Sequence, residues 1–227
     1  MSAVYITGVS DKTRKTERAH PEIRVRHFTL PACPSCCRFC TEEVKQGCFG
    51  TTGRMSCELQ QNAYRRNLQA VLDGTIWDKL DEELDLFSRR ARKAGKTLYL
   101  RVHSSGDYFS KEYLQHWLDM AGRHPDIIFY SYTKAIGWVK LAQAEGRVPD
   151  NYRFVFSIGS TQDILLDETD RVAGVFPADA EVPAGWYDGS HDDYWAAQPT
   201  GSVFLRYHGP RTKQFTAIPV WMQEVVE

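Results

Sequence analysis

The 227-residue chain has no cysteine after Cys57, although it contains six in all. Thiols scattered through a core usually only pack, whereas thiolates crowded into one loop can converge on a metal. Disulfides are a further alternative, but disulfide frameworks are typical of small secreted chains. The crowded segment therefore predicts a metal site.

Three other features are missing from the sequence. No apolar run approaches the roughly 20 residues that a membrane helix needs, so we expect no membrane partner. With 28 basic and 29 acidic residues the net charge is −1, so charge alone gives no support for a nucleic-acid partner. No apolar leader follows the first methionine, and we therefore expect a cytoplasmic protein.

The amino-terminal stretch is locally basic. Lys12, Arg14, Lys15 and Arg18 lie close together in the sequence. A charged terminal stretch of this kind is more often a solvated tail than a binding patch. We predict a flexible basic segment over residues 1–22, followed by a single domain over residues 23–227.

Strands and helices alternate along the rest of the chain. Strands are predicted at 24–30, 97–103, 127–132, 152–158, 171–176 and 202–207, and helices at 56–72, 75–95, 110–122 and 135–145. Such alternation predicts a parallel sheet with right-handed crossovers. About six units are too few for a closed eight-fold barrel. We therefore expect an α/β fold, an open partial (β/α)6 barrel with a mostly parallel sheet, a cysteine-rich loop after the first strand and a long loop with one helical turn over 177–201.

In barrels of this kind, chemistry takes place in the loops at the carboxyl ends of the strands. Polar residues follow the predicted strands at 103–107, 131–134, 157–160 and 207–209, and the cysteine loop follows the first strand. The sequence therefore predicts one polar mouth with the cysteine loop at its edge.

The cysteines themselves suggest which metal is bound. Cys33, Cys37 and Cys40 have the spacing C-x3-C-x2-C, with Phe39 before the last of them. Three thiolates so placed can hold three irons of a [4Fe–4S] cluster and leave the fourth iron open. The overlapping C-x2-C pairs also suit a structural zinc site, so zinc is the alternative.

The order of these motifs resembles the radical S-adenosylmethionine superfamily, on the segments 33–40, 105–107 and 156–159. In that superfamily the cysteines bind a [4Fe–4S] cluster, a turn after the second strand meets the methionine amino group, and a fourth-strand serine meets the ribose or carboxylate. The resemblance implies that S-adenosylmethionine is bound by five residues. They are Ser105, Gly106, Asp107, Ser157 and Gly159.

This resemblance also implies an activity. An electron from a flavodoxin- or ferredoxin-like donor would cleave S-adenosylmethionine to a 5′-deoxyadenosyl radical, which acts on an unknown substrate, with a nucleobase or nucleic acid as one candidate. Asp107 would accept a hydrogen bond from an amine, His103 would serve as acid or base, and Lys134 would pair with a carboxylate or phosphate.

A closer likeness covers about residues 25–210. The segments 28–32, 48–54, 62–67, 101–109 and 130–134 are similar to phage and plasmid proteins of the gene product 88 family, whose segments are in turn similar to spore photoproduct lyase-like barrels. In that family the last cluster cysteine is followed by Tyr-Ala, and the matching position here is Cys48, before Phe49. The resemblance therefore adds Cys48 to the ligands Cys33, Cys37 and Cys40.

The alternative from another functional class is a non-catalytic zinc- or iron–sulfur-binding phage or plasmid protein. It would dock nucleic acid or a protein partner through the basic segment and through aromatic residues such as Trp186 and Trp195. A scaffold of this kind does not need polar, glycine-bearing loops at successive strand ends, and this favours the enzyme.

Overall fold

The computed structural model describes residues 6–32, 37–46, 48–51, 55 and 57–207. The strands in this part of the chain are β1 (Ile23–Phe28), β2 (Thr97–Val102), β3 (Ile127–Thr133), β4 (Tyr152–Ser157), β5 (Val172–Phe176), β6 (Trp186–Asp188) and β7 (Ser202–Arg206). The α-helices are α1 (Asp11–Ala19), α2 (Glu42–Gln46), α3 (Glu58–Leu72), α4 (Trp77–Lys93), α5 (Lys111–Arg123) and α6 (Ile136–Ala144).

The strands form one sheet in the order β1-β2-β3-β4-β5-β7-β6, and every neighbouring pair is parallel. The sheet is strongly curled into a half-barrel flanked by helices. The predicted α/β open partial barrel is therefore confirmed. Because all strands are parallel, their carboxyl ends lie at one edge of the sheet, where the loops of such folds carry the chemistry.

The main core lies between the sheet and its helices. In β2, Leu98, Leu100 and Val102 belong to this core, as do Leu84 of α4 and Trp117 of α5. All five side chains are buried. Successive strand residues face opposite sides of a sheet, so the alternation that predicts β2 also assigns its apolar half to the helices. Each such side chain contributes about 1.5–3 kcal/mol through burial.

The concave face of the half-barrel has a second, smaller core. Val25, Tyr130 and Val203 pack there against Ala196 and Ala197. The two alanines belong to a 3-10 turn, Trp195–Ala197, inside the stretch predicted as a long loop. That stretch also contains β6, which adds a seventh strand beyond β7. The prediction for 177–201 therefore included the helical turn but missed β6, because this strand has only three residues and shows no readable alternation.

The amino-terminal segment also differs from the sequence prediction of a flexible stretch, because residues 11–19 form helix α1. Ser10 caps the helix, and its hydroxyl accepts a hydrogen bond from the Thr13 amide. The Glu17 carboxylate accepts from the amide of Val25 in β1 at 2.9 Å. Lys12 turns inward to Asp193 at 2.8 Å. Lys12, which the sequence analysis assigns to a solvated tail, is therefore paired with the buried carboxylate of Asp193.

Among the helices of the described ranges, none is both long enough and apolar enough to cross a membrane.

Candidate functional site

The described part of the cysteine loop crosses the mouth formed by the carboxyl ends of the strands, and its first contact is with the end of β4. Cys40 forms an antiparallel bridge with Ser160. The Thr41 amide donates to the Gly159 carbonyl at 3.1 Å, and the Thr161 amide donates to the Phe39 carbonyl at 2.8 Å. Backbone hydrogen bonds therefore fix the Cys40 region of the loop to β4.

Gly159 makes this contact possible. Its φ is +92°, a conformation that side-chain-bearing residues rarely adopt. A Cβ atom added there would lie 2.5 Å from Cγ2 of Val44 in α2. Glycine is therefore required both by the backbone and by the close approach of the loop.

The second contact lies at the end of β2. A Cβ atom added to Gly50 would lie 2.7 Å from the Ala32 Cβ, 2.8 Å from the Ser105 Oγ and 3.5 Å from the Cys48 Sγ. The Ser105 hydroxyl is buried and, within the described residues, has no hydrogen-bond partner. The Cys48 thiol and an unsatisfied hydroxyl thus both approach Gly50, which leaves no room for a side chain between them.

Only part of the predicted ligand set can be located. Cys33 and Cys36 lie outside the described residues, as does the side chain of Cys37. Cys40 is buried and Cys48 half-buried, whereas Cys57 is exposed before α3. Among the side chains that the structure describes, no group of three histidine, cysteine or acidic residues is placed to hold a metal ion. The metal site Cys33, Cys37, Cys40 and Cys48 therefore stays a prediction.

Asp107 joins the loop after β2 to the end of β3. Its carboxylate accepts hydrogen bonds from the Thr133 hydroxyl at 2.6 Å, the Lys134 amide at 2.7 Å and the Tyr108 amide at 2.8 Å. Burial raises the pKa of Asp107, and these hydrogen bonds oppose the rise. Gly106, with φ +90°, forms the turn before it. Asp107 thus positions the strand ends, and its oxygens are already engaged.

Lys134 continues the same network toward β4. Its ammonium group donates to the Ser157 hydroxyl, and its carbonyl accepts from the Ser160 hydroxyl at 2.8 Å. An ammonium group has three N–H donors, so the bond to Ser157 leaves others for an anion. The strand ends of β2, β3 and β4 are therefore linked by Asp107, Lys134, Ser157 and Ser160, with a half-buried cation among them.

A family model described as gene product 88 matches residues 7–216. This chain belongs to the gene product 88 family. The predicted membership is confirmed, and the match includes the cysteine loop and all seven strands of the sheet. Neither the comparison with curated proteins nor the comparison with solved structures gives a match.

In this gene product 88 protein, the His103 ring packs against aromatic side chains of the helix-side core. The φ of His103 is +69°, and its Nε2 lies 2.8 Å from the Tyr113 hydroxyl of α5. Its ring packs edge-on against Phe28 and Tyr108. Burial, with a smaller effect of the Arg101 charge, lowers the pKa of His103 to about 3. The ring is therefore a neutral part of the helix-side core, which favours a structural role over the predicted acid or base.

The sequence did not identify the glycine contacts that seat the cysteine loop of the gene product 88 chain. Gly50 and Gly159 lie in glycine-containing segments, which are typical of turns. From the sequence alone, a glycine that only forms a turn cannot be distinguished from a glycine against which another segment packs. Only the positions of Val44 and Ser105 distinguish the two cases.

Proposed function

We propose that this gene product 88 protein is an iron–sulfur enzyme of the radical S-adenosylmethionine type, acting on a substrate that we do not assign. One observation carries the proposal. The described part of the cysteine loop lies across the mouth of an all-parallel half-barrel. The backbone of Cys40 forms a bridge with Ser160 after β4, and Cys48 lies near the end of β2.

The residues at the mouth fit such a group. Thiolates are the usual ligands of iron–sulfur clusters. The ligands would be Cys33, Cys37 and Cys40, with Cys48 as the additional candidate. The buried Ser105 hydroxyl beside Cys48 is unsatisfied within the described residues, and a buried polar group without a partner costs about 1–3 kcal/mol. A cofactor group would reach this hydroxyl only if the Gly50 segment moved, because a Cβ atom at Gly50 would already lie 2.8 Å from the Ser105 Oγ.

When bound, the [4Fe–4S] cluster and S-adenosylmethionine would supply the electron transfer and the 5′-deoxyadenosyl radical. The protein supplies position and charge. Lys134 would hold a carboxylate or phosphate with the N–H groups that Ser157 does not use. Ser105, Gly106 and Ser157 would contact the cofactor. Because its three hydrogen bonds stay within the protein, Asp107 acts as a positioning residue that fixes the Lys134 backbone.

A non-catalytic zinc- or iron–sulfur-binding protein is the second candidate function. The observation that favours it is the mutual satisfaction of Asp107, Lys134 and Ser157, because polar groups that bond to one another are also common in structural networks. It differs from the first candidate in needing no S-adenosylmethionine.

Anaerobic purification followed by metal analysis and an optical spectrum separates iron–sulfur from zinc. We expect a brown protein with broad absorption at about 400 nm. Cys40→Ala and Cys48→Ala should lose most of their iron, whereas Cys57→Ala is the matched control and should keep it. A colourless protein that contains one equivalent of zinc would reject the iron–sulfur assignment.

The second step tests the radical chemistry on cluster-loaded protein. With dithionite and S-adenosylmethionine, we expect 5′-deoxyadenosine to form, as measured by liquid chromatography. Lys134→Met should weaken S-adenosylmethionine binding about tenfold or more while the iron content is unchanged, since one charged hydrogen bond is lost. An intact cluster that yields no 5′-deoxyadenosine would leave only the non-catalytic candidate.

A further inference from the structure

The sheet of the half-barrel opens between β4 and β5. These strands pair only through Phe156 with Val172 and Ser157 with Ala173, near the carboxyl end of β4. Because β5 begins at Val172, opposite Phe156, the earlier residues of β4 have no β5 partner, and a cleft of about 300 Å³ lies beside them. Tyr152, Arg153, Phe154, Asp170, Arg171 and Pro199 are among the residues that line it. A volume of this size is at the lower end of the range for small-molecule sites.

Two guanidinium groups in this cleft are held by the backbone but are not fully satisfied. Arg171 donates to the Gly201 carbonyl at 3.0 Å and to the Trp195 carbonyl at 3.1 Å. Arg153 donates to the Asp150 carbonyl. Arg153 Nε and Arg171 Nη1 are buried and have no hydrogen-bond partner among the residues that the structure describes. Each group is therefore fixed in place with a donor left over.

The charges in the cleft are also unbalanced. Burial lowers the pKa of Arg171 to about 10; Tyr132 opposes this shift and the like charge of Arg153 adds to it. The carboxylate of Asp170, which lines the same cleft, lies 2.6 Å from the Lys140 ammonium. Lys140 also pairs with Asp167 at 2.8 Å, so these groups comprise two carboxylates and three cations, the cations being Arg153, Arg171 and Lys140.

We propose that this cleft binds the phosphate group of a small ligand between Arg153 and Arg171. Guanidinium groups offer paired N–H donors that match phosphate oxygens, and a phosphate monoester carries nearly two negative charges at neutral pH. The stacked rings of Tyr152 and Phe154, with centroids 4.5 Å apart, line the cleft from the helix side of β4. The ligand is therefore a free phosphate or a small phosphomonoester.

This site is distinct from the mouth and does not rest on the proposed function. The cleft runs along β4 from Tyr152 to Phe156, and none of the mouth residues Lys134, Ser157 and Ser160 lines it. Phosphate binding in the cleft can therefore be measured independently of the iron content and the 5′-deoxyadenosine formation that test the mouth.

Calorimetry tests the site. The full-length protein is titrated with inorganic phosphate, and a sodium chloride titration of equal ionic strength is the blank. Arg153→Gln and Arg171→Lys should each weaken phosphate binding about tenfold or more, since each removes donors to the anion. Arg147→Gln is the matched control, because Arg147 is an exposed arginine paired with Glu145. Equal affinity in all four proteins would overturn the proposal.

A second measurement does not depend on the folding of a variant. Phenylglyoxal modification of the wild-type protein, mapped by mass spectrometry, should slow at Arg153 and Arg171 when phosphate is present and stay unchanged at Arg147. Adenosine monophosphate serves as the second probe. Stronger protection by this probe identifies a phosphomonoester site, equal protection identifies a free-phosphate site, and no selective protection by either probe rejects the site.

Discussion

At the scale of single residues, His103 shows how one backbone angle changes the surroundings of a side chain. Strand alternation places Arg101 on the concave face and would place His103 on the same face two residues later. The φ of +69° instead directs the ring into the aromatic core beside Trp117. A left-handed backbone costs a non-glycine residue about 1–2 kcal/mol. Burial of the ring and the hydrogen bond between Nε2 and Tyr113 oppose this cost, whereas Nδ1 is buried without a partner among the described residues.

The buried ring makes stability depend on pH. The pKa of His103 is about 3 in the folded protein and 6.5 in the unfolded chain, so the unfolded chain binds the extra proton. The stabilisation is complete above pH 6.5 and is lost as the pH falls toward 3. Between pH 8 and pH 5 the free energy of unfolding should fall by about 2 kcal/mol because of His103.

Denaturant unfolding of wild type and His103→Asn across this range checks the pH dependence. Asparagine tolerates a positive φ, so the variant keeps the backbone and loses the titration. His27, with its pKa lowered to about 4 chiefly by burial, contributes in the same direction in both proteins. A variant as sensitive to acid as the wild type would show that His103 is not the group responsible.

The residues of the mouth were only partly predictable from the sequence. Strand ends can be read from alternation and turn residues, and this correctly placed Asp107, Lys134 and Ser157 next to one another. The partner of each side chain cannot be read in this way. Nothing in the sequence around Asp107 indicates that its carboxylate is engaged by the Thr133 hydroxyl and two backbone amides.

At the scale of elements, the cysteine loop depends on one glycine at the end of β4. The loop helix α2 contributes Val44 to this contact, and the Thr41 amide bonds to the Gly159 carbonyl. A side chain at position 159 would have to displace the valine or the backbone. The position of Cys40 relative to the mouth is therefore set by Gly159.

Gly159→Ala should separate the loop from the sheet. Both the positive φ and the 2.5 Å approach of Val44 oppose the added methyl group. Gly146→Ala is the matched control: its φ is +65°, but no atom lies within 4 Å of the added Cβ. The control measures backbone strain alone, about 1–2 kcal/mol.

We expect Gly159→Ala to lose more stability than the control in thermal unfolding, and to lose metal content as well. Amide exchange at residues 40–46 should increase only in this variant. If both alanine variants behave alike, contact with Val44 does not seat the loop.

Elements with strong periodicity were predicted well, and elements without it were not. The boundaries predicted for the strands at 97–103 and 152–158 differ from β2 and β4 by one residue. Helix α1 was missed because its buried residues, Thr13 and Thr16, are polar, so its sequence shows no apolar stripe. Its order comes from contacts with β1 and Asp193, which are distant in sequence.

At the scale of the whole molecule, Asp193 joins three distant parts of the chain. Its carboxylate lies 2.8 Å from Arg101 of β2 and 2.8 Å from Lys12 of α1, and its amide donates to the Thr16 hydroxyl at 3.0 Å. Only 1% of its side chain is exposed. Burial raises the pKa of Asp193, but the charges of Arg101 and Lys12 outweigh it and lower the pKa to about 2. The carboxylate is therefore charged at neutral pH, and it joins helix α1 to the concave face of the sheet.

Asp193→Asn should destabilise the whole domain. The change leaves Arg101 buried without its counter-charge, and the loss of one partner from a buried ion pair costs about 3–5 kcal/mol. Asp167→Asn is the matched control, because Asp167 also pairs with a lysine but its side chain is 55% exposed. An exposed pair contributes less than about 1 kcal/mol.

Chemical denaturation at pH 7 measures both losses, and amide exchange locates them. In Asp193→Asn the amides of α1 should exchange faster together with those of the turn at 195–197, because the same carboxylate holds both segments against the sheet. Equal losses in the two variants would mean that Asp193 behaves as a surface charge. Faster exchange in α1 alone would mean that the turn is held by Ala196 and Ala197 rather than by the carboxylate.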